Sequence, residues 1–252
     1  MRVTAIINHK GGVAKTATTV NVAAILARDY KRRVLVVDAD SQANTSEFFG
    51  YKNDTRCTFA DMLRRVAVND PIRPSSFPGV DLLAADESLM DLDLSKVESR
   101  SIDVECLRTL LRDRALRYDN VLIDCPPAFN AATAAALLAA DDVVIPIKID
   151  AFSLRGMANL MRQIRNMQQI NQKLRVAGLL PTMSYKSLDI ETSLATLRES
   201  KLPVFSPIRR SAKVDDMTFA QTPLIISSPK SAACVDYRRF VVEYIGGDRR
   251  GQ

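Results

Sequence analysis

The sequence predicts a single α/β domain over residues 1–252, built as three layers: a twisted, mostly parallel sheet of seven to eight strands with helices on both faces. Three observations carry this expectation. Short β-branched apolar runs alternate with helical stretches, the order that strand–helix–strand crossovers produce. Most of these runs are continuously apolar, as strands covered on both faces are, rather than alternating. No internal repeat, low-complexity tract or Pro/Gly/Ser linker divides the chain, and 252 residues with 47% apolar content suffice for one large core.

In order, "VTAIIN" (3–8) reads as the first strand, followed by a helix over 15–28. "RVLVVDAD" (33–40) is the second strand, with a helix over 58–66 before "VDLLAA" (80–85). A helix over 101–117 leads to "NVLIDCP" (120–126), and one over 130–140 to "DVVIPIKI" (142–149). The stretch 153–170 places Leu154, Met157, Leu160, Met161, Ile164 and Met167 at spacings of three and four, the stripe of a helix packed on a core. "VAGLLPT" (176–182), a helix over 188–199, "PLIIS" (223–227) read as a strand, and a helix over 231–245 complete the pattern; residues from about 246 to 252 read as a flexible tail.

Composition narrows the function. No apolar run approaches a membrane span and no leader precedes "RVTAIIN", so a cytoplasmic protein is expected. Cys57, Cys106, Cys125 and Cys234 lack any C-x-x-C spacing and read as reduced thiols, mostly buried. The net charge of +6 is unevenly placed: residues 1–150 hold 19 basic against 21 acidic side chains, and residues 151–252 hold 16 against 8. That basic excess suits either a polyanion-facing surface or a solvated face.

The chemistry begins at "NHKGGVAKTAT" (8–18), which lies between a strand and a helix. Glycines let successive N–H groups turn inward as an anion nest, and the helix N-terminus adds its orphan N–H groups and positive dipole end. Lys15 is placed for the β and γ phosphates and the Thr16 hydroxyl for magnesium, the arrangement of a P-loop NTPase fold. His9 and Ala14 stand at the two glycine positions of that motif, and Ala17 follows Thr16 in place of a second hydroxyl. His9 is the only histidine, so a histidine metal site or triad is excluded. Alanine at position 14 costs about 1 kcal/mol if the position requires positive φ. Asp38 and Asp40 end the second strand and Asp124 another. Asp38 and Asp124 suit the waters of a magnesium ion, and Asp40, projecting further, suits the attacking water.

These motifs resemble the deviant Walker A signature, K-G-G-x-G-K-[ST], of the MinD/ParA superfamily. "VLVVDADSQANTS" is similar to the D-x-D-P-Q-x-N segment of the ParA type, with Ser41 for the proline. "VLIDCPPAFNAATAAALLAADDVVIPI", "FSLRGMANL" and the closing block "VFSPIRRSAKVDDMTFAQTPLIISSPKSAACVDYRRFVVEYI" extend the likeness along almost the whole chain. It is to the short, Soj-like type with no winged-helix domain before the first strand. The resemblance implies a slow, magnesium-dependent ATPase cycling between ATP and ADP, stimulated by DNA and by a ParB-like centromere-binding partner. ATP would join two copies, with Lys10 of each completing the other's site, and the homodimer would hold nonspecific double-stranded DNA at the nucleoid. It assigns Lys10, Lys15 and Asp40 to catalysis and Lys10, Gly11, Gly12, Val13, Ala14, Lys15, Thr16 and Ala17 to the nucleotide. Pro207 and Arg210 would serve the base, although Arg209 replaces the family's proline in that loop. Thr16, Asp38 and Asp124 would serve the metal, and Lys186, Arg198, Arg209, Arg210, Lys213, Lys230, Arg238 and Arg239 the DNA. Competing readings are a nucleotide-binding DNA scaffold with little hydrolysis and a MinD-like membrane ATPase; for the latter, "RRFVVEYIGGDRRGQ" offers a short apolar stretch and a charged end instead of a lipid-inserting helix.

Overall fold

A computed structural model describes residues 1–51, 56–66, 70–92, 101–114, 117–150, 153–199 and 202–246, without the side chains of 153–156. The expected flexible tail therefore lies almost entirely outside the described residues, as does the side chain of Leu154. The chain runs β1 (Arg2–Ile6), α1 (Lys15–Asp29), β2 (Val34–Asp38), α2 (Asn44–Phe48), α3 (Phe59–Leu63), β3 (Ile72–Pro74) and β4 (Val80–Leu83). After a 3-10 turn (Glu87–Asp91) come α4 (Cys106–Asp113), β5 (Asn120–Asp124), α5 (Ala131–Ala139), β6 (Asp142–Lys148), α6 (Ser153–Ile170) and β7 (Arg175–Thr182). It closes with α7 (Leu188–Glu199), α8 (Ala212–Phe219), α9 (Leu224–Ser227) and α10 (Ala232–Gly246).

The seven strands form one sheet in the order β3-β4-β2-β5-β1-β6-β7, parallel except for β3. Alternate side chains of one strand enter opposite cores. Leu35 and Val37 pack with α3 to α7, whereas Val34 and Val36 pack with α1, α2, α8, α9 and α10. Leu160, Ile164 and Met167 of the α6 stripe are buried in the first core, with Met157 and Met161 against it. The last strand is not left bare. Residues 203–210 run beside β7, with Leu179 N–H donating to the Pro203 carbonyl and Phe205 N–H to the Leu179 carbonyl.

Two sequence expectations are corrected. Residues 223–227 form the single turn of α9 instead of a strand. The run was apolar and short, a pattern that fits either element, and the Asn21 side chain accepts from the Leu224 N–H to start the turn. The edge strand β3 was hidden by Pro71 and Pro74, which are compatible with a strand only at an edge. All four cysteines are free thiols, but only Cys125 and Cys234 are fully buried.

Candidate nucleotide-binding site

The loop after β1 is anchored before it turns. Asn8 donates from Nδ2 to the Pro146 carbonyl at 2.7 Å and accepts the Lys10 N–H at 3.0 Å. The Thr182 hydroxyl donates to the Val13 carbonyl from behind, at 3.1 Å. Between these anchors Gly12 (φ 67°) and Ala14 (φ 65°, ψ 34°) are both left-handed, the alternation that turns peptide N–H groups toward one concavity. A Cβ on Gly11 or Gly12 would meet nothing within 4 Å, so the space in front of the loop is open. Lys15 opens α1 with a side chain that leaves the residue 8% exposed. Its Nζ sits 3.4 Å from the Lys10 carbonyl. Among the described residues it pairs directly with no carboxylate, its charge reaching Asp124 only at longer range, so an anion held by the loop would be its direct partner.

Ala14 occupies a conformation that glycine adopts freely and alanine does not, and it caps α1 without a side-chain hydrogen bond. Ala14→Gly is expected to relieve about 1 kcal/mol of strain, raising the melting temperature by about 2–4 °C in a chain of this size. ADP affinity is expected to be equal or up to about tenfold tighter. Calorimetric melting with and without ADP checks both, and a lower melting temperature for the glycine variant would show that the αL backbone is not strained.

Asp38 and Asp124 end neighbouring strands in direct register. Both are buried, and both carboxyls are held above their ordinary range, first by burial. Their mutual repulsion adds at Asp38; at Asp124 the hydroxyls of Thr16 and Thr45 and the charge of Lys15 oppose the rise. Asp38 accepts from the Asp40 N–H at 3.1 Å and from both the N–H and the hydroxyl of Ser46, at 2.8 and 2.7 Å. Asp124 Oδ2 accepts from Thr16 (2.7 Å) and Thr45 (2.6 Å), while its Oδ1 is buried with no partner. That unpartnered oxygen beside the Thr16 hydroxyl fits a hydrated magnesium ion, which takes one or two carboxylates and keeps its waters. Among the described residues no group of three or more His, Cys, Asp or Glu side chains forms a ready-made metal cage, in keeping with that chemistry. Asp40 is less buried and lines the open cleft, its carboxylate accepting the Gln42 N–H.

A cleft of about 540 Å³ lies over the loop, lined by Gly11, Lys15, Thr16, Asp40, Glu47 and Met217 among others. A second hollow of about 380 Å³ adjoins it, sharing Ala14, Met183 and Val214 and reaching Arg210 and Ser211; Pro207 does not line it. Left-handed backbone recurs at this rim, at Met183 (φ 54°) and Gln221 (φ 45°), a concentration of strain typical of ligand sites. Lys10 turns away from the cleft and pairs with Asp150 of its own chain at 2.5 Å. Burial, and then the charge of Lys15, push the His9 imidazole below its ordinary range, and its Nε2 has no partner.

The eight basic candidates do not share one surface. Arg198 sits on α7 in the first helix layer, whereas Arg238 and Arg239 sit on α10 in the second. Arg209 donates from its backbone and guanidinium to the buried Asp236, Nε at 2.8 Å and Nη2 at 2.9 Å, and a proline at this position would have neither donor. Lys213 pairs with Asp216 and Arg238 with Asp29. Lys186, Arg198, Arg210, Lys230 and Arg239 are exposed and have no carboxylate partner among the described residues. Sequence reading missed Thr45 and Ser46. Their signal was present, two hydroxyls just after the D-x-D segment, but only the fold shows that they reach Asp124 and Asp38.

Comparison with known proteins agrees with this geometry. A family described as an AAA domain matches residues 1–176. The chromosome partitioning protein ParA of Caulobacter vibrioides is 32% identical over the whole of this chain and 97% of its own length. The sporulation initiation inhibitor protein Soj of Bacillus subtilis is 31% identical over 94% of this chain and 95% of its own. Cobyrinic acid a,c-diamide synthase of Mycobacterium smegmatis, crystallised with an ATP analogue and magnesium, is 28% identical, with a TM-score of 0.84 over 100% of this chain and 97% of its own. With a phosphate-loop fold, relatives matched end to end and the loop itself in place, the chain belongs to the ParA/Soj family of P-loop ATPases.

Proposed function

We infer that the protein binds ATP and ADP with magnesium, dimerises in the ATP state, holds nonspecific duplex DNA and releases it on slow hydrolysis stimulated by a ParB-like centromere-binding partner, thereby segregating DNA in the cytoplasm at the nucleoid. The observation that carries this reading is Lys15, a buried ammonium with no directly paired counter-charge among the described residues, at the floor of a loop whose left-handed Gly12 and Ala14 turn its N–H groups toward one concavity. A triphosphate supplies that charge; Thr16, Asp38 and Asp124 would hold the metal that accompanies it, and Asp40 would orient the attacking water. Positioning and charge neutralisation suffice for this chemistry. No helix of the described residues is long and apolar enough to cross a membrane.

In the dimer, Lys10 would exchange Asp150 for the partner copy's nucleotide. Arg210, Lys230 and Arg239 have exposed charges available for phosphates, so DNA affinity would fall steeply with salt as counterions are released. The test is light scattering and DNA binding with ATP and magnesium against ADP, using Asp40→Ala to stall turnover. Asp40→Ala is expected to be dimeric with ATP and to bind duplex DNA, and Lys230→Glu with Arg239→Glu to remain dimeric while losing at least about tenfold in DNA affinity. A monomer under saturating ATP, or equal DNA binding in every state, overturns the reading.

A further inference from the structure

Helix α2 faces two ways. Asn44, Glu47 and Phe48 line the cleft, while Thr45 and Ser46, both fully buried, point inward and grip Asp124 and Asp38. The same short segment is tied to Asp40: the Ala43 N–H donates to the Asp40 carbonyl at 2.9 Å, and the Asp40 N–H returns to Asp38. Ala43 is left-handed (φ 51°), so the turn that joins Asp40 to α2 is held in one unusual conformation. Ser46 is fixed independently, since its hydroxyl also accepts the Ala85 N–H at the end of β4. Thr45 is different. Its hydroxyl is the only hydrogen bond from α2 to the Asp124 carboxylate among the described residues, the Ala39 N–H reaching the Asp124 carbonyl, and it meets the same carboxylate oxygen as Thr16 does.

We propose that Thr45 is a positioning residue: its hydroxyl sets the Asp40-bearing segment against the metal-side carboxylate Asp124, so that the geometry needed for turnover depends on it while metal-free nucleotide binding does not. The proposal rests on the ATPase reading. A threonine hydroxyl donating to Oδ2 helps Thr16 hold the carboxylate's rotation and leaves Oδ1, which has no partner, as the oxygen that would serve a metal's waters. Without that donor Oδ2 keeps only the Thr16 hydroxyl, itself a candidate metal ligand, and the strand end that carries Asp40 is tied to Asp124 by backbone alone, through the Ala39 N–H on the Asp124 carbonyl. A buried hydroxyl has few alternative acceptors, which keeps the contact specific.

Thr45→Val is nearly isosteric and removes only the donor; Thr45→Ser keeps it. A fluorescent ATP analogue titrated in EDTA is expected to bind parental, Val and Ser proteins within about threefold of one another. Titrating magnesium into each nucleotide complex is expected to require about tenfold more metal for Thr45→Val than for the parent, with Thr45→Ser close to the parent. Steady-state turnover at saturating Mg-ATP is expected to fall at least tenfold in the Val variant and to be largely restored in Ser. If the Val variant is unfolded by circular dichroism, Thr45→Ala takes its place. Equal magnesium titrations of the parent and the donor-less variant overturn the proposal, as does parental turnover in that variant. A parent that binds Mg-ATP but never hydrolyses it refutes the ATPase reading instead, and the magnesium titration then still decides the positioning role.

Discussion

Lys15→Ala is expected to lose at least about a hundredfold in affinity for ATP and ADP while remaining folded and no less stable than the parent. The residue is 8% exposed and its ammonium sits 3.4 Å from a carbonyl, acting on Asp124 only at longer range and pairing directly with no carboxylate among the described residues. Truncation therefore breaks no ion pair and removes the desolvation of a buried cation. In the complex the same ammonium makes charge-assisted hydrogen bonds worth roughly 1.5–3 kcal/mol each, and two such bonds account for the expected loss. Lys15→Arg is not expected to rescue binding, because a planar guanidinium fork does not fit a loop built around a compact point charge. Isothermal titration with ADP and a thermal melt decide the matter together. Retained affinity within about threefold, in a variant with an unchanged melt, would move the phosphate site elsewhere.

The part of this site that was readable from sequence is the part built by local geometry. A glycine pair before a lysine, between an apolar strand and a helix, fixes where phosphate sits because backbone N–H groups and a helix terminus make the site. A carboxylate after three or four apolar residues is at the mouth of a buried strand for the same reason, which placed Asp38 and Asp124. The left-handed φ at Ala14 was a conditional at that level, since only the backbone decides whether a residue needs positive φ. What stayed hidden is long-range. Thr45 lies 79 residues from Asp124 and belongs to a single helical turn too short to show periodicity. The pairing of Arg209 with Asp236 spans 27 residues and turns one basic candidate from a surface charge into a structural one. Charge asymmetry along the chain could not foresee that, because counting charges does not say which are already neutralised. The strand expected at 223–227 failed for a related reason: a four-residue apolar run is decided by what it packs on, here α1 through Asn21, and not by its own sequence.

Asp124→Asn is expected to raise the melting temperature of the nucleotide-free protein at pH 8 while removing most of the stabilisation that magnesium adds to bound nucleotide. The substitution is geometrically mild. The amide oxygen takes the place of Oδ2 and accepts the same two hydroxyls, and the amide nitrogen takes the place of an oxygen that has no partner now. What changes is charge. Burial holds the carboxyls of Asp38 and Asp124 above the ordinary range, with the charge of Asp124 adding at Asp38 and that of Asp40 at Asp124, so in the folded state their ionised forms are disfavoured. Below the unfolded carboxylate value near 4, both states are protonated and nothing is lost; above the raised folded values, both are ionised and the fold bears the full repulsion. Stability of the parent without ligand therefore declines as pH climbs from about 4 toward neutrality, and Asp124→Asn removes much of that decline. With the Asp124 carboxyl pushed up from 3.8 to about 6, the gain is at most about 3 kcal/mol, or about 6–12 °C, at pH 8 and vanishes near pH 4. Magnesium reverses the balance in the parent by giving the paired charges a cation, a service the amide cannot accept. Differential scanning calorimetry across pH 4–8, in EDTA and again with Mg-ADP, reads both effects. A variant that melts below the parent at pH 8 in EDTA would mean that the two carboxylates do not repel in the folded chain, and one that gains as much from magnesium as the parent does would take Asp124 out of the metal site.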